Sequence, residues 1–190
     1  MSRGGGFSVG QPGEQLGAFE GQGAGARRAG AEAERATAAL LDQVVERGYV
    51  VFHSLAVAGG RADVDHLLVG SRGAVVIDSK GWRPGWYAKA FGRAWRTGGP
   101  VWRFTPGEST SMSRSVEQLR AAGVPVVGAV VAVWPAGGVG RVHTALMGYA
   151  GADAVLPARR AVRKAARLAG RGGAAPAVVR AVSRWAEANQ

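Results

Sequence analysis

Four charged residues stand where a β-hairpin would gather them on one surface. Asp63 and Asp65 precede a short turn, and Asp78 and Lys80 follow it. Residues 62–69 and 74–80 are strand-like runs, and Gly70-Ser-Arg-Gly73 joins them with glycine at both ends. Centring the turn between Ser71 and Arg72 sets Asp65 opposite Asp78 and Asp63 opposite Lys80. Directly opposed side chains share a sheet face, with Cβ atoms about 5 Å apart. Residues two apart on one strand share that face as well. Carboxylates this close repel, so one holds a proton or both bind a cation. With hard oxygen donors, no cysteine and three histidines, the suited cation is Mg²⁺ or Mn²⁺ rather than zinc. Such an ion polarises a phosphate and acidifies a bound water, while a nearby lysine positions that water or stabilises negative charge. That is the chemistry of phosphodiester hydrolysis. The plainer account is an Asp63–Lys80 cross-strand ion pair with Asp65 in solvent. Against it, Leu67, Val69, Ala74 and Val76 fall on the same face, leaving it apolar at one end and acidic at the other, as in a cleft.

The elements around the hairpin predict an α/β order. Ala33, Ala36, Thr37, Leu40, Leu41, Val44 and Val45 repeat at helical spacing, and Gly48 follows where a helix would end. Residues 49–57 read as a strand, so a helix leads into a three-strand antiparallel meander. Residues 82–104 carry seven aromatics among short strands and loops, with a turn at 97–100. A helix over 112–122, starting among Ser109, Thr110 and Ser111, precedes the valine-rich run 124–133, which has the pattern of a strand buried on both faces. Weaker strands at 142–147 and 154–156 lead to helices at 158–169 and 175–188. Residues 1–29 form a Gly-rich leader, 30–157 the core, and 158–190 basic C-terminal helices packed on it.

Nearly half of the 190 residues are apolar (47%), enough for one buried core. The absence of cysteine removes disulfides, thiolate zinc sites and cysteine nucleophiles, and fits a reducing cytoplasm. The opening residues lack the apolar core of a signal peptide. The longest apolar run is too short for a bilayer, which takes about 20 residues; a soluble protein with no membrane partner is expected. The net charge of +11 leaves two accounts open: a polyanionic partner such as nucleic acid, or arginine enriched with Ala, Gly and Val by a GC-rich genome.

Gly30-Ala-Glu-Ala-Glu34 opening a helix, then Asp63-Val-Asp-His-Leu-Leu-Val-Gly70, then Gly73-Ala-Val-Val-Ile-Asp-Ser-Lys80 form an ordered set. This set resembles the nuclease-related domain (NERD) family of the restriction-endonuclease-like PD-(D/E)xK superfamily. The resemblance covers roughly residues 30–135, with a fainter echo in Val155-Leu-Pro-Ala-Arg-Arg160. It implies a restriction-endonuclease-like core and Mg²⁺- or Mn²⁺-dependent cleavage of DNA, with RNA as the second choice. Carried over, it makes Asp65 and Asp78 metal ligands and Lys80 the catalytic lysine, with the Ser79 carbonyl as a further ligand. Glu34 matches the helix-borne glutamate that orients metal or water, although Ala33 replaces the usual glycine and Glu32 is a rival. Gln118 matches an auxiliary glutamine of the superfamily, or is a surface residue beside Glu117. Members of the superfamily often pair, so a homodimer is implied too. The competing function is a nucleic-acid-binding or adaptor module that keeps the fold without turnover.

The remaining candidates are weaker. Arg159, Arg160, Arg163, Lys164 and Arg167 would present positive charge on a helix face to a phosphate backbone, or simply to solvent. The tryptophan-rich stretch fits a hydrophobic subcluster better than a base-stacking surface. His66 should face away from Asp65 in a packing or hydrogen-bonding role; His53 and His143 receive no role.

Overall fold

The computed structural model describes residues 5–10, 24–56, 63–98, 103–104 and 110–189. Along the chain these form β1 (Ser8–Val9), α1 (Ala24–Val45), β2 (Val50–Ala56), β3 (Asp63–Val69), β4 (Ala74–Trp82), β5 (Gly85–Ala90) and β6 (Arg93–Thr97). There follow β7 (Arg103–Phe104), α2 (Ser111–Ala121), β8 (Val126–Pro135), β9 (Val142–Leu146), β10 (Ala154–Pro157), α3 (Ala158–Ala169) and α4 (Pro176–Glu187). The fold is mixed α/β.

A six-stranded sheet has the order β1-β2-β3-β4-β8-β10. Strands β2, β3 and β4 make the expected antiparallel meander, and β8 lies parallel beside β4. The continuous apolar run of β8 is explained by its place. Val130 and Val131 point to opposite faces, and each is buried in a different cluster. On one face α1 and α3 cover Leu68, Val75, Ile77 and Val130 with Leu41, Val162 and Ala165. On the other, α2 and α4 supply Leu119 and Val182 against Leu67, Val76 and Val131.

A second sheet, ordered β7-β6-β5-β9, grows from one end of the first. The chain enters it directly after β4 and again after β8. Ala136 N–H donates to the Trp82 carbonyl at 2.7 Å, and Gly85 N–H to that of Arg141 at 2.9 Å. Its inner side adds Tyr87 and Val142 to the core. No helix among the described residues is long and apolar enough to cross a membrane.

Two departures from the sequence reading have physical causes. Helix α1 begins at Ala24, within the stretch read as leader. Its first turns mix helix-forming Ala and Arg with Gly25 and Gly30, and none of residues 25–30 is fully buried, so no apolar periodicity marks them. Ser8–Val9 adds to the edge of β2 in parallel, too short to leave a pattern. Of the rest of that leader, residues 1–4 and 11–23 lie outside the described residues. So do Gly99 and Pro100 of the expected turn, Trp102, Ser109, and the side chains of Asp63 and Phe104.

Candidate active site

At Asp65 strand β3 parts from β4 and misses one level of its pairing with β2. Its pairing with β4 runs from Val69–Ala74 to His66–Ile77, a register that carries Asp65 opposite Asp78. On the other side, pairing with β2 skips the Ser54–Asp65 level between His53–His66 and Leu55–Val64. Ser54 there adopts φ 49°, a left-handed conformation that costs a non-glycine residue of order 1 kcal/mol or more. Released from the ladder, Asp65 Oδ2 accepts the Ser79 N–H at 2.6 Å, a short bond. The Asp65 carboxylate therefore lies against β4 beside Asp78.

Lys80 Nζ donates to Asp78 Oδ1 at 2.7 Å, while Asp78 Oδ2 is buried with no hydrogen-bond partner among the described residues. A small cleft opens here, lined by Val64, Asp65, Ile77 and Asp78 from the strands and by Ser111, Met112 and Ser115 from the start of α2. Its volume of about 10 Å³ is close to the room one water-sized occupant needs. Burial, then the adjacent Asp78, pushes the Asp65 carboxyl up to about 8, against the pull of Lys80 and the Ser79 N–H. Burial also raises Asp78, which Lys80 partly offsets. Burial works against the Lys80 ammonium, but the two carboxylates outweigh it and hold its pKa above the ordinary value. Two carboxylates facing one ammonium leave an excess negative charge in a poorly solvated place. A proton or a cation must neutralise it.

Helix α1 is fastened over this strand end. A Cβ on Gly81 would stand 2.4 Å from the Ala29 carbonyl, so only glycine lets the helix approach so closely. One turn on, Glu34 points inward and is buried. Its Oε1 accepts the Ser54 hydroxyl at 3.0 Å, and its charge helps to raise Asp65. Glu32, the rival, turns outward into an ion pair with Arg28 at 3.1 Å. The fully buried Thr37 donates to the Ala33 carbonyl at 2.8 Å. Its Oγ1 accepts from Ser79 Oγ at 2.9 Å and from Trp134 Nε1 at 2.8 Å. Thr37 thus ties α1, β4 and β8 together at the level of the acidic pair.

The other candidates separate from this centre. Gln118 lies on α2 three residues beyond Ser115. Its Oε1 is buried without a partner among the described residues, yet it is not among the residues lining the cleft. On α3, Arg159, Arg160, Arg163 and Arg167 are exposed and Lys164 is half-buried. Pro157 pairs with Val133, and Val133 with Lys80, so α3 starts at the Lys80 end of the sheet and carries Arg167 away from it. His66 faces away from the cleft, as expected, but its partner was not foreseen. His53 lies opposite it on β2, with the two Nδ1 atoms 2.7 Å apart and Ser8 Oγ 2.8 Å from His53 Nε2. One ring must donate and the other accept. Burial first, then His53, lowers His66 to about 3; burial lowers His53 too, with Asp42 opposing. Ser54, Thr37, Ser115 and Trp134 were also missed. Hydroxyls and an indole in apolar runs give no spacing signal, although the register rule that pairs Asp65 with Asp78 could have paired His53 with His66.

The model of one family, the nuclease-related domain, matches residues 29–132, more than half of the chain. The protein belongs to the nuclease-related domain family. No curated protein and no solved structure matches it. The matched part of this NERD domain runs from α1 into β8 and contains Glu34, Asp65, Asp78, Ser79, Lys80 and Gln118; the basic helix α3 lies beyond it. Its donors fit a hard divalent ion. Among the described residues no three His, Cys, Asp or Glu side chains converge as a cage, but Mg²⁺ is commonly held by one or two carboxylates, keeping waters and taking substrate phosphates. Asp78 Oδ2, buried beside the small cleft and without a hydrogen-bond partner among the described residues, is the kind of atom such an ion would satisfy.

Proposed function

We propose that this NERD domain is a metal-dependent nuclease that hydrolyses DNA phosphodiester bonds. The observation that carries this reading is the juxtaposition of Asp65, Asp78 and Lys80 where β3 parts from β4. There the two carboxylates line a small cleft, the ammonium is bound to one of them, and one carboxylate oxygen has no hydrogen-bond partner among the described residues. Asp65 and Asp78, with the Ser79 carbonyl, would hold Mg²⁺ or Mn²⁺, which when bound supplies Lewis-acid activation of phosphate and water. The chain's own contributions are separable. Asp78 holds the Lys80 ammonium; Lys80 orients the attacking water or meets charge developing on the phosphate. The Ser79 N–H fixes Asp65, and Thr37 fixes Ser79. Glu34 adds negative charge behind Asp65. The net positive charge and the arginines at the start of α3 favour the polyanionic substrate. Incubating supercoiled plasmid and single-stranded DNA with the protein in Mg²⁺, Mn²⁺ or EDTA tests this, with Asp78→Asn alongside. Cleavage that is metal-dependent and lost in the variant supports the reading; a fully active Asp78→Asn protein contradicts it.

The lack, among the described residues, of a third converging acidic side chain favours one alternative, a nucleic-acid-binding module without turnover. It predicts salt-sensitive binding in the same samples and no cutting under any metal.

A further inference from the structure

The aromatic stretch after Lys80 divides in two. Trp82 stacks on the buried Tyr87, ring centroids 4.7 Å apart at 28°, which is the hydrophobic subcluster expected. Trp86 points the other way. It is 55% exposed and lies nearly parallel to the His143 ring, 4.1 Å away at 10°. The pairings of the small sheet put Trp95 and Arg93 on the same outer face, because Ala88 lies opposite Trp95 and Ala90 opposite Arg93. Phe91, at the turn between β5 and β6, is fully exposed with φ 49°.

The charge carried by the small sheet and the segments that flank it has one sign. Residues 81–104 and 135–152, which contain the whole small sheet, hold six Lys and Arg and no Asp or Glu. A protein-binding patch gains little from such a bias, whereas a polyanion that carries flat rings is matched on both counts. In duplex DNA the base faces are stacked on one another, so an open indole is of use to unpaired bases. The sheet also starts where the catalytic strand ends. Trp86 is six residues beyond Lys80, so their Cα atoms are at most about 20 Å apart, and one strand can reach both.

We infer that the outer face of the small sheet, centred on the Trp86–His143 stack and bordered by Arg93, binds a single-stranded nucleic-acid segment through its bases. This rests on the reading of nucleic acid as substrate and names the form the protein engages, one with unpaired nucleotides beside the scissile bond.

The test is binding in EDTA, where no cutting occurs, so that its outcome is independent of whether the protein turns over. Labelled oligothymidylate and a duplex of equal length are titrated by fluorescence anisotropy with the parent, Trp86→Ala and Trp86→Phe. Circular dichroism and sedimentation are run on each protein. Trp86→Ala should weaken oligothymidylate binding roughly tenfold, the loss expected of one base–aromatic stack, and leave duplex binding within about twofold. Trp86→Phe should recover most of the loss. Unchanged oligothymidylate affinity in a folded Trp86→Ala protein would overturn the inference, as would an equal loss for both nucleic acids. So would a parent dimer that the substitution disperses, since the face would then be a contact between copies.

Discussion

Lys80 Nζ lies 2.7 Å from Asp78 Oδ1, two residues along one strand, while the other oxygen of Asp78 is buried and unsatisfied among the described residues. The ammonium therefore answers half of one carboxylate, and the neighbouring Asp65 shares that single cation. Such a geometry disfavours the fully ionised pair in the metal-free protein, and a divalent ion would relieve it.

The first consequence concerns stability. With its folded pKa raised from 3.8 to about 8, Asp65 keeps a proton that the unfolded chain loses, so its contribution worsens as pH rises from about 4 to 8. Asparagine at this position still accepts the Ser79 N–H. In EDTA at pH 8, Asp65→Asn should be more stable than the parent by on the order of 1 kcal/mol or more, the gap closing near pH 4. It should also be inactive, and Mg²⁺ should raise the melting temperature of the parent but not of the variant. Urea midpoints at both pH values check the sign.

Thr37 offers a test of positioning apart from ligation. Thr37→Val keeps the shape but leaves Ser79 Oγ and the Trp134 indole without their acceptor, which costs roughly 1–3 kcal/mol. Because Ser79 N–H fixes Asp65, cleavage should fall about 10- to 100-fold, as for groups that orient metal ligands. Thr37→Ser should restore most of both. Cleavage at parental rate in a stably folded Thr37→Val protein would show that this knot does not govern the site.

How far the sequence carries is clear from these residues. The Asp65–Asp78 relationship was legible because hairpin register is simple arithmetic once a short turn is recognised, and the meander and the valine-rich central strand followed from alternation and apolar length. The departure of β3 from its ladder was not legible, since it depends on a left-handed Ser54 that no propensity predicts. Nor was the Thr37 knot, in which a residue counted as part of an apolar helix stripe uses its hydroxyl. The start of α1 was missed because exposed helical turns have no pattern to read. Trp82 and Trp86 look alike in sequence, and only the small sheet's pairing sends one inward and the other out.

The buried histidine pair should set the acid limit of the fold. Both rings are harder to protonate folded than unfolded, so stability should fall as pH drops below about 6.5, for His66 towards about 3, by up to about 1.4 kcal/mol per pH unit for that histidine. Asp65 titrates with the opposite sign over part of this range. The measurement therefore belongs in the Asp65→Asn background, where urea midpoints between pH 7 and 4.5 should decline steadily. A flat profile would mean that the pair accepts protons in the fold.

The arginines at the start of α3 should act through the phosphate backbone. Replacing Arg159 and Arg160 with alanine should weaken duplex DNA binding whatever its sequence. The salt dependence of log K should drop by about 1 for each phosphate no longer neutralised. Binding isotherms between 50 and 200 mM salt would show it; an unchanged slope would leave these residues as a solvated helix face.

Whether Asp65, Asp78 and Lys80 form a working metal-dependent centre is decided by plasmid cleavage with purified Lys80→Ala beside the parent, in Mg²⁺ and in EDTA. Circular dichroism confirms that both proteins are folded. Nicking or linearisation by the parent in Mg²⁺ alone, and its loss in Lys80→Ala, is the result predicted. Equal cleavage by both proteins, or cleavage that persists in EDTA, would contradict a metal-dependent centre built on these three residues.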